Sequence, residues 1–194
     1  ASRVYGAANS MFTATVAGFV NGESLGTSGV SGEASFTCAA AATSAVGTYT
    51  ITPAQGTLTA SNYFFGTMTD GTLSVTKAPL TVTADNKSRA YGAANPVFSA
   101  TVTGFVNSDT AAVVSGTASF ATSATATSGV GAYAITPSIG GLTADNYAFT
   151  TFTDGTLTIT QAALTVTRAR RSREHGEENP AFTATITGYL NGDT

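Results

Sequence analysis

The sequence predicts a mainly β protein made of tandem copies of one small domain, and three observations support this prediction. A motif that begins at Tyr5 returns at Tyr91 and, with a different first residue, at His175, so the offsets are about 86 and about 84 residues. Apolar and polar residues alternate with period two through much of each copy. Turn-forming residues separate these segments, and only one short stretch suits a helix. A period of this length exceeds that of solenoids and fits a self-sufficient domain.

Later motifs recur with the same spacing, so the repeat covers almost the whole chain. The matching segments are residues 45–53 and 129–137, 59–63 and 143–147, 70–76 and 154–160, and 78–83 and 162–167. We divide the chain into repeats at residues 1–78, 79–162 and 163–194. The first repeat is expected to lack its opening strand, and the third to contain only its first two strands. Linkers of about three residues predict domains arranged end to end as a semi-rigid rod.

Period-two alternation places the strands of each repeat. In chain order, the predicted strands cover residues 12–18, 34–38, 47–52, 62–68, 72–76, 80–83, 98–105, 118–122, 131–136, 146–152, 156–160, 164–167 and 182–189. Pro53 and Pro137 are expected to end their strands, because proline cannot donate a hydrogen bond to the ladder.

Turn residues connect the predicted strands. Asp70-Gly71 and Asp154-Gly155 predict hairpin turns, since Asp-Gly between alternating segments is a strong hairpin signal. Asp109-Thr110 predicts the cap of a single helical turn over residues 111–114, the one helix candidate of the repeat. The segment between Asn107 and Phe120 is two residues shorter than its counterpart in the first repeat, which indicates a surface loop.

The composition excludes several classes of protein. A net charge of -3 and a pI near 4.9 argue against a nucleic-acid binder, which would carry a basic surface. Charged residues make up only 10% of the chain, while Thr, Ser, Ala and Gly are abundant, as in secreted stalk proteins. Cys38 is the only cysteine and Thr122 takes its place in the next repeat, so a nucleophile is not expected there. No segment has the 18 to 20 or so apolar residues of a membrane span.

One basic cluster stands out near the end of the chain. It holds half of all Lys and Arg residues: Arg168, Arg170, Arg171 and Arg173. One hypothesis is a contact for an anionic ligand such as a polysaccharide or a lipid headgroup. The other is a solvated edge strand protected by charge, with Glu174, Glu177 and Glu178 as partners.

Candidates for chemistry are few. His175 has no second histidine or cysteine near it in sequence, which argues against metal binding and general-base catalysis. Four loop residues have side-chain oxygens that suit calcium, namely Asp85, Asn86, Asp109 and Asp145, but their spacing matches no defined calcium loop and Asx turns explain them. Tyr5, Tyr63, Tyr91 and Tyr147 recur at fixed offsets, which favours packing in the core or at a junction over a ligand surface. We predict no catalytic residue, no cofactor and no metal.

The repeated motifs together resemble the MBG domain of the YGX type. In the second repeat they read Tyr91-Gly92-Ala93-Ala94-Asn95-Pro96, Thr103-Gly104-Phe105-Val106-Asn107, Val130-Gly131-Ala132-Tyr133, Asn146-Tyr147 and Asp154-Gly155-Thr156-Leu157. The resemblance implies a small β-grasp-like module without catalysis, found in tandem in large bacterial surface and secreted adhesins, including proteins like filamentous haemagglutinin. From the residues alone, an Ig-like β-sandwich is an equal alternative.

Three functions follow as hypotheses. The first is a structural stalk of an extracellular adhesin that projects a distal binding region and supports adhesion or biofilm formation, with neighbouring repeats of the same chain as partners. The second is a self-assembling fibre subunit, in which the strand of Leu164, Thr165, Val166 and Thr167 completes the first repeat of another copy. The third is a carbohydrate-binding module that contacts surface glycans. We expect no enzymatic activity.

Overall fold

The computed structural model describes all 194 residues and confirms the mainly β class. The strands are β1 (Ser2–Val4), β2 (Ser35–Cys38), β3 (Gly47–Ala54), β4 (Gly71–Thr76), β5 (Ala78–Ala84), β6 (Lys87–Ala90), β7 (Ala100–Thr103), β8 (Ser119–Ala121), β9 (Gly131–Ser138), β10 (Tyr147–Thr153), β11 (Gly155–Thr160), β12 (Thr165–Arg168) and β13 (Ala184–Thr187). A single 3-10 turn covers Ala111–Val113. None of the chain's helical structure has the length and apolar character needed to cross a bilayer.

The chain divides into two compact units, and neither is one continuous segment. The first contains Ala1–Thr81, Thr103–Gly116 and Leu142–Thr151. The second contains Val82–Val102, Thr117–Gly141 and Phe152–Thr194. The second repeat therefore contributes residues to both units. It meets the first repeat inside the first unit and the third repeat inside the second unit.

The second repeat contains two sheets. One has four strands in the order β6-β11-β9-β8, with β6 parallel to β11 and the other pairs antiparallel. The other has three strands in the order β10-β5-β7. Ala84 of β5 joins Ile135, Leu157 and Ile159 of the larger sheet in one buried cluster. Alternate residues of β5 are buried, as expected for a central strand with one face on the core.

The first repeat repeats the four-stranded sheet in the order β1-β4-β3-β2, again with the outer parallel pair β1 and β4. Leu73 and Val75 of β4 lie in its core. Residues 12–18 and 62–68, however, form no strands, so the prediction of strands there was wrong. Their counterparts in the second repeat, β7 and β10, both pair with β5. Within residues 1–194 no strand occupies the position of β5 in the first repeat, so the two flanking segments have no central strand to pair with.

The expectation that proline ends two strands was also wrong. β3 and β9 continue through Pro53 and Pro137, which face Phe36 and Phe120 of the neighbouring strands. The pairing of β4 with β3 stops at Ile51, and the equivalent pairing of β11 with β9 also stops just before the proline. Beyond that point each strand has a partner on one side only, so proline can sit where no neighbour needs its N–H.

Asp154-Gly155 is not a hairpin turn, because β10 and β11 belong to different sheets. Asp70-Gly71 is not one either, since no strand precedes β4 there. Neither glycine has the positive φ that an Asp-Gly hairpin turn requires. Glycine is needed at position 155 because the backbone of Ala84 lies close to it. A Cβ added to Gly155 would lie 2.5 Å from the carbonyl oxygen of Ala84. The chain passes from one sheet to the other at this glycine.

The predicted helical turn is confirmed as the 3-10 turn, with Thr110 as its N-cap. The Thr110 hydroxyl accepts a hydrogen bond from the amide of Ala112 at 3.4 Å. The third repeat forms a two-stranded antiparallel sheet of β12 and β13, in which every residue is exposed.

Candidate functional site: the junction between repeats

Tyr5 of the first repeat is buried against residues of the second repeat. Its hydroxyl donates to Asp109 Oδ2 at 3.1 Å, and the hydroxyl of Tyr147 donates to the same oxygen at 2.7 Å. The two tyrosine rings meet edge to face with centroids 5.4 Å apart, and Phe105 packs on Tyr147 in the same way at 5.6 Å. One carboxylate oxygen thus accepts two hydroxyls inside a small aromatic cluster.

Tyr147 is only 2% exposed, and its surroundings favour the neutral phenol. Burial, together with the hydrogen bond to Asp109, raises the pKa of Tyr147 to about 12. Its hydroxyl also accepts a bond from the amide of Val106 at 3.1 Å. The first repeat has the same arrangement, where Tyr63 donates to Glu23 and that hydrogen bond raises the pKa of Tyr63.

The glycine after Tyr5 makes room for the next repeat. Gly6 has φ +86°, and a Cβ added to it would lie 2.4 Å from Val106 Cγ2. The second junction has the same contact, because Gly92 has φ +80° and an added Cβ would lie 2.6 Å from Leu190 Cδ1. At the first junction the Tyr-Gly motif therefore combines a hydroxyl that reaches the next repeat with a backbone position open to its apolar side chain, and at the second junction Gly92 provides the same backbone position.

At each junction, an asparagine with a left-handed backbone conformation donates a hydrogen bond to the earlier repeat. Asn107 has φ 55° and donates from Nδ2 to the carbonyl of Ala42 in the first repeat at 3.3 Å. Asn191 has the same φ and donates to the carbonyl of Ala126 in the second repeat at 3.4 Å. At each junction the later repeat therefore contributes two adjacent contact residues. They are Val106 and Asn107 at the first junction, and Leu190 and Asn191 at the second.

The residues between β4 and β5 are held as well. Only Lys77 separates the two strands, and its Nζ donates to the carbonyl of Ala144 at 2.8 Å. Asn146 accepts the amide of Val46 on its side chain and the amide of Ala78 on its carbonyl, both at 3.0 Å. The connection between the first two repeats is therefore fixed by several hydrogen bonds beside the covalent chain.

Sequence reasoning missed two buried arginines. Arg3 donates to Asn9 and to the carbonyls of Val4 and Ala41, and Arg89 donates to Asn95 at 2.8 Å and to the carbonyls of Ala90 and Thr125. Asn9 and Asn95 in turn each donate a hydrogen bond from Nδ2 to a further backbone carbonyl at 2.7 Å. The signal was present in the sequence, because an arginine stands two residues before Tyr5, Tyr91 and His175 alike.

The predicted contact residues lie together in the third repeat. Thr165, Val166 and Thr167 belong to β12, Leu164 directly precedes it, and all four are exposed. Arg168 ends β12, and Arg170 is exposed beyond it. Arg171 donates to Thr183 Oγ1 at 3.2 Å, while Arg173 donates to the backbone carbonyl of Glu177 at 2.5 Å. Arg173 is the counterpart of the buried Arg3 and Arg89, and His175 is exposed.

Three of the four candidate calcium ligands accept hydrogen bonds from other residues of the chain, and the fourth, Asp145, is exposed. Asp85 accepts hydrogen bonds from Ser99 and Thr101, and these bonds lower the pKa of its carboxyl group. Asn86 accepts the amide of Thr156 at 2.7 Å, and Asp109 accepts the two tyrosines. No group of three or more His, Cys, Asp or Glu side chains is arranged to hold a metal ion.

Comparison with known proteins identifies the repeat. Neither the curated proteins nor the solved structures provide a match. The profile of the MBG domain (YGX type) matches residues 1–74, 80–158 and 164–194. The Tyr-Gly pairs at residues 5–6 and 91–92 lie at the two junctions between repeats. The chain therefore belongs to the MBG domain (YGX type) family and carries it in three tandem segments.

Proposed function

We propose that this chain is a non-enzymatic structural stalk of tandem repeats in an extracellular bacterial adhesin, which holds a distal binding region away from the cell and supports adhesion or biofilm formation. The observation that carries the proposal is the recurrence of one set of junction contacts. Val106 packs on Gly6 and Leu190 packs on Gly92, while Asn107 and Asn191 donate to equivalent carbonyls. Contacts that repeat at each boundary suit a spacer of defined geometry.

The composition supports an exposed location. Lysine and arginine number only eight, and two of them, Arg3 and Arg89, are buried in hydrogen-bonded positions. A trypsin-type protease therefore finds few accessible cleavage points. Backbone hydrogen bonding in sheets protects the strands further, because proteases cleave extended, unpaired segments.

Mechanical unfolding tests the stalk. A polyprotein of several copies of this chain, stretched as a single molecule, should give a series of unfolding events that recurs once per copy. Unfolding of the complete second repeat should release roughly 300 Å of contour length, since about 84 residues extend by at most about 3.6 Å per residue, and the partial third repeat should release less. One unfolding event without repetition, or smooth extension without force peaks, would overturn the proposal.

A further inference from the structure

The four-stranded sheet of the second repeat places its first and last strands side by side. In chain order β6 is the first of its strands and β11 the last, and the two pair in parallel from Lys87 with Leu157 to Ala90 with Thr160. The chain therefore reaches this pair at Lys87 and leaves it at Thr160, which lie at opposite ends of the pair. A pull along the chain slides the two strands past each other, so the evenly spaced hydrogen bonds between them are loaded together.

Further hydrogen bonds hold both ends of this pair. Where β6 begins, Asn86 Oδ1 accepts the amide of Thr156 at 2.7 Å. Where β11 ends, the carbonyl of Thr160 accepts the amide of Tyr91 at 2.8 Å, and the Thr160 hydroxyl donates to the carbonyl of Arg89 at 3.3 Å. The two strands are thus bonded to each other beyond the ladder itself.

Each strand is also fixed to the rest of the repeat by buried side chains. Leu157 and Ile159 of β11 lie in the core cluster. Arg89 of β6 is buried and donates to Asn95 at 2.8 Å and to the carbonyl of Thr125 at 2.5 Å. Neither strand can slide out without breaking these contacts, so a pull on either one is passed to the bonds between them.

The first repeat has the same pairing. β1 and β4 are parallel, with Ser2 opposite Ser74. The amide of Tyr5 donates to the carbonyl of Thr76 at 2.8 Å, and the Thr76 hydroxyl donates to the carbonyl of Arg3 at 3.2 Å. The end of the pair that lies next to the following repeat is therefore built in the same way twice.

We propose that the parallel pair of β6 and β11 is a mechanical clamp, meaning the part of the second repeat that resists tension along the chain. The inference rests on the proposed stalk function, because a stalk is pulled along its chain when the region it carries is bound. A clamp of this kind has a direction. A pull from opposite ends loads its hydrogen bonds together, whereas a pull on both strands at the same end opens them one after another.

Single molecules held at constant force compare the two directions. The full chain is held either at Lys87→Cys and Gln161→Cys, at opposite ends of the pair, or at Ala93→Cys and Gln161→Cys, at the same end. Both proteins carry Cys38→Thr, because Cys38 is the only cysteine and Thr122 stands at this position in the second repeat. At equal force, unfolding should be at least about tenfold slower in the first protein, since several hydrogen bonds have to break together.

The length released identifies the event as unfolding of the second repeat. It should be roughly 270 Å between positions 87 and 161 and roughly 240 Å between positions 93 and 161, at about 3.6 Å per residue.

A single substitution separates the clamp from ordinary stability. Asn86→Ala removes the bond to Thr156 and should speed unfolding about fivefold when the pair is pulled from opposite ends. When both strands are pulled at the Thr160 end, the same substitution should change the rate by much less, because the bond at Asn86 then breaks last. Thr158→Val is the control on β11, since its exposed side chain takes no part in these contacts, and it should leave both rates nearly unchanged.

Equal unfolding rates in the two directions overturn the proposal. An effect of Asn86→Ala that is equal in both directions, or absent from both, also overturns it, because the bond would then carry no tension. The stalk function has a separate readout, the recurrence of unfolding events once per copy. Recurring events with equal rates in the two directions would leave the stalk in place and remove only the clamp.

Discussion

At the scale of single residues, the most informative positions are those whose polar side chains are buried and have hydrogen-bond partners. Arg89 places its guanidinium among Asn95 and two backbone carbonyls, and Tyr147 places its hydroxyl between Asp109 and Val106. A buried polar group costs free energy unless it has partners, so these networks fix the local backbone. Repetition in the sequence marks such residues, but it does not tell which contact the repetition preserves.

Arg89→Ala should lower the free energy of unfolding of the chain by about 3 kcal/mol, since it removes charged hydrogen bonds and leaves their acceptors buried. Urea denaturation followed by circular dichroism measures the change. Arg170→Ala is the matched control, because Arg170 is exposed, and it should change the free energy of unfolding by less than about 0.5 kcal/mol. Equal effects of the two substitutions would contradict the structural role of Arg89.

The raised pKa of Tyr147 leads us to expect that the chain loses stability at alkaline pH. Its pKa in the folded chain is about 12, above the ordinary value of 10.0, so its stabilising effect is complete below pH 10 and is lost as the pH rises towards 12. The free energy of unfolding should fall by about 2 kcal/mol more in the parent chain than in Tyr147→Phe between these two pH values. Thermal melts of both proteins across this range make the comparison, and parallel curves would refute the prediction.

At the scale of elements, the sequence predicts best where a strand finds both of its neighbours within the chain. The predicted segments at β3, β9 and β11 are confirmed with bounds shifted by a few residues. Alternation alone also predicted strands at residues 12–18 and 62–68, and there it failed because pairing is a property of the neighbour as well as of the segment. The Asp-Gly pairs failed for a related reason, since turn chemistry does not reveal that successive strands belong to different sheets.

Gly155 provides a test at this scale, because it marks the passage between the two sheets. Gly155→Ala should lower the free energy of unfolding by about 2 kcal/mol or more, since its Cβ would meet the backbone of Ala84. Gly129→Ala is the control in the same repeat, because nothing lies within 4 Å of the added Cβ and its φ is not positive. Differential scanning calorimetry compares the two variants, and an unchanged melting temperature for Gly155→Ala would contradict the close approach.

At the scale of the whole molecule, the repeat predicted the family and the class of fold, whereas the junction became visible only in the structure. Spacing in the sequence cannot show that Tyr5, Asp109 and Tyr147 converge, because Tyr5 lies more than a full repeat away from both partners. The third repeat has His175 at the tyrosine position, and this side chain is exposed. The motif that defines the family is used here for the boundary between domains as much as for their cores.

The measurement that tests the central claim most directly is a double-mutant cycle across the first junction. It combines Tyr5→Phe with Asp109→Ala and measures the free energy of unfolding of all four proteins. We expect a coupling energy of about 1 kcal/mol, because the two groups share a hydrogen bond between repeats. Tyr49→Phe, whose hydroxyl bonds to Ala45 within the first repeat, should be additive with Asp109→Ala. If Tyr5→Phe proved equally additive, the repeats would not be coupled through this junction, and the account of the chain as a stalk of joined repeats would lose its basis.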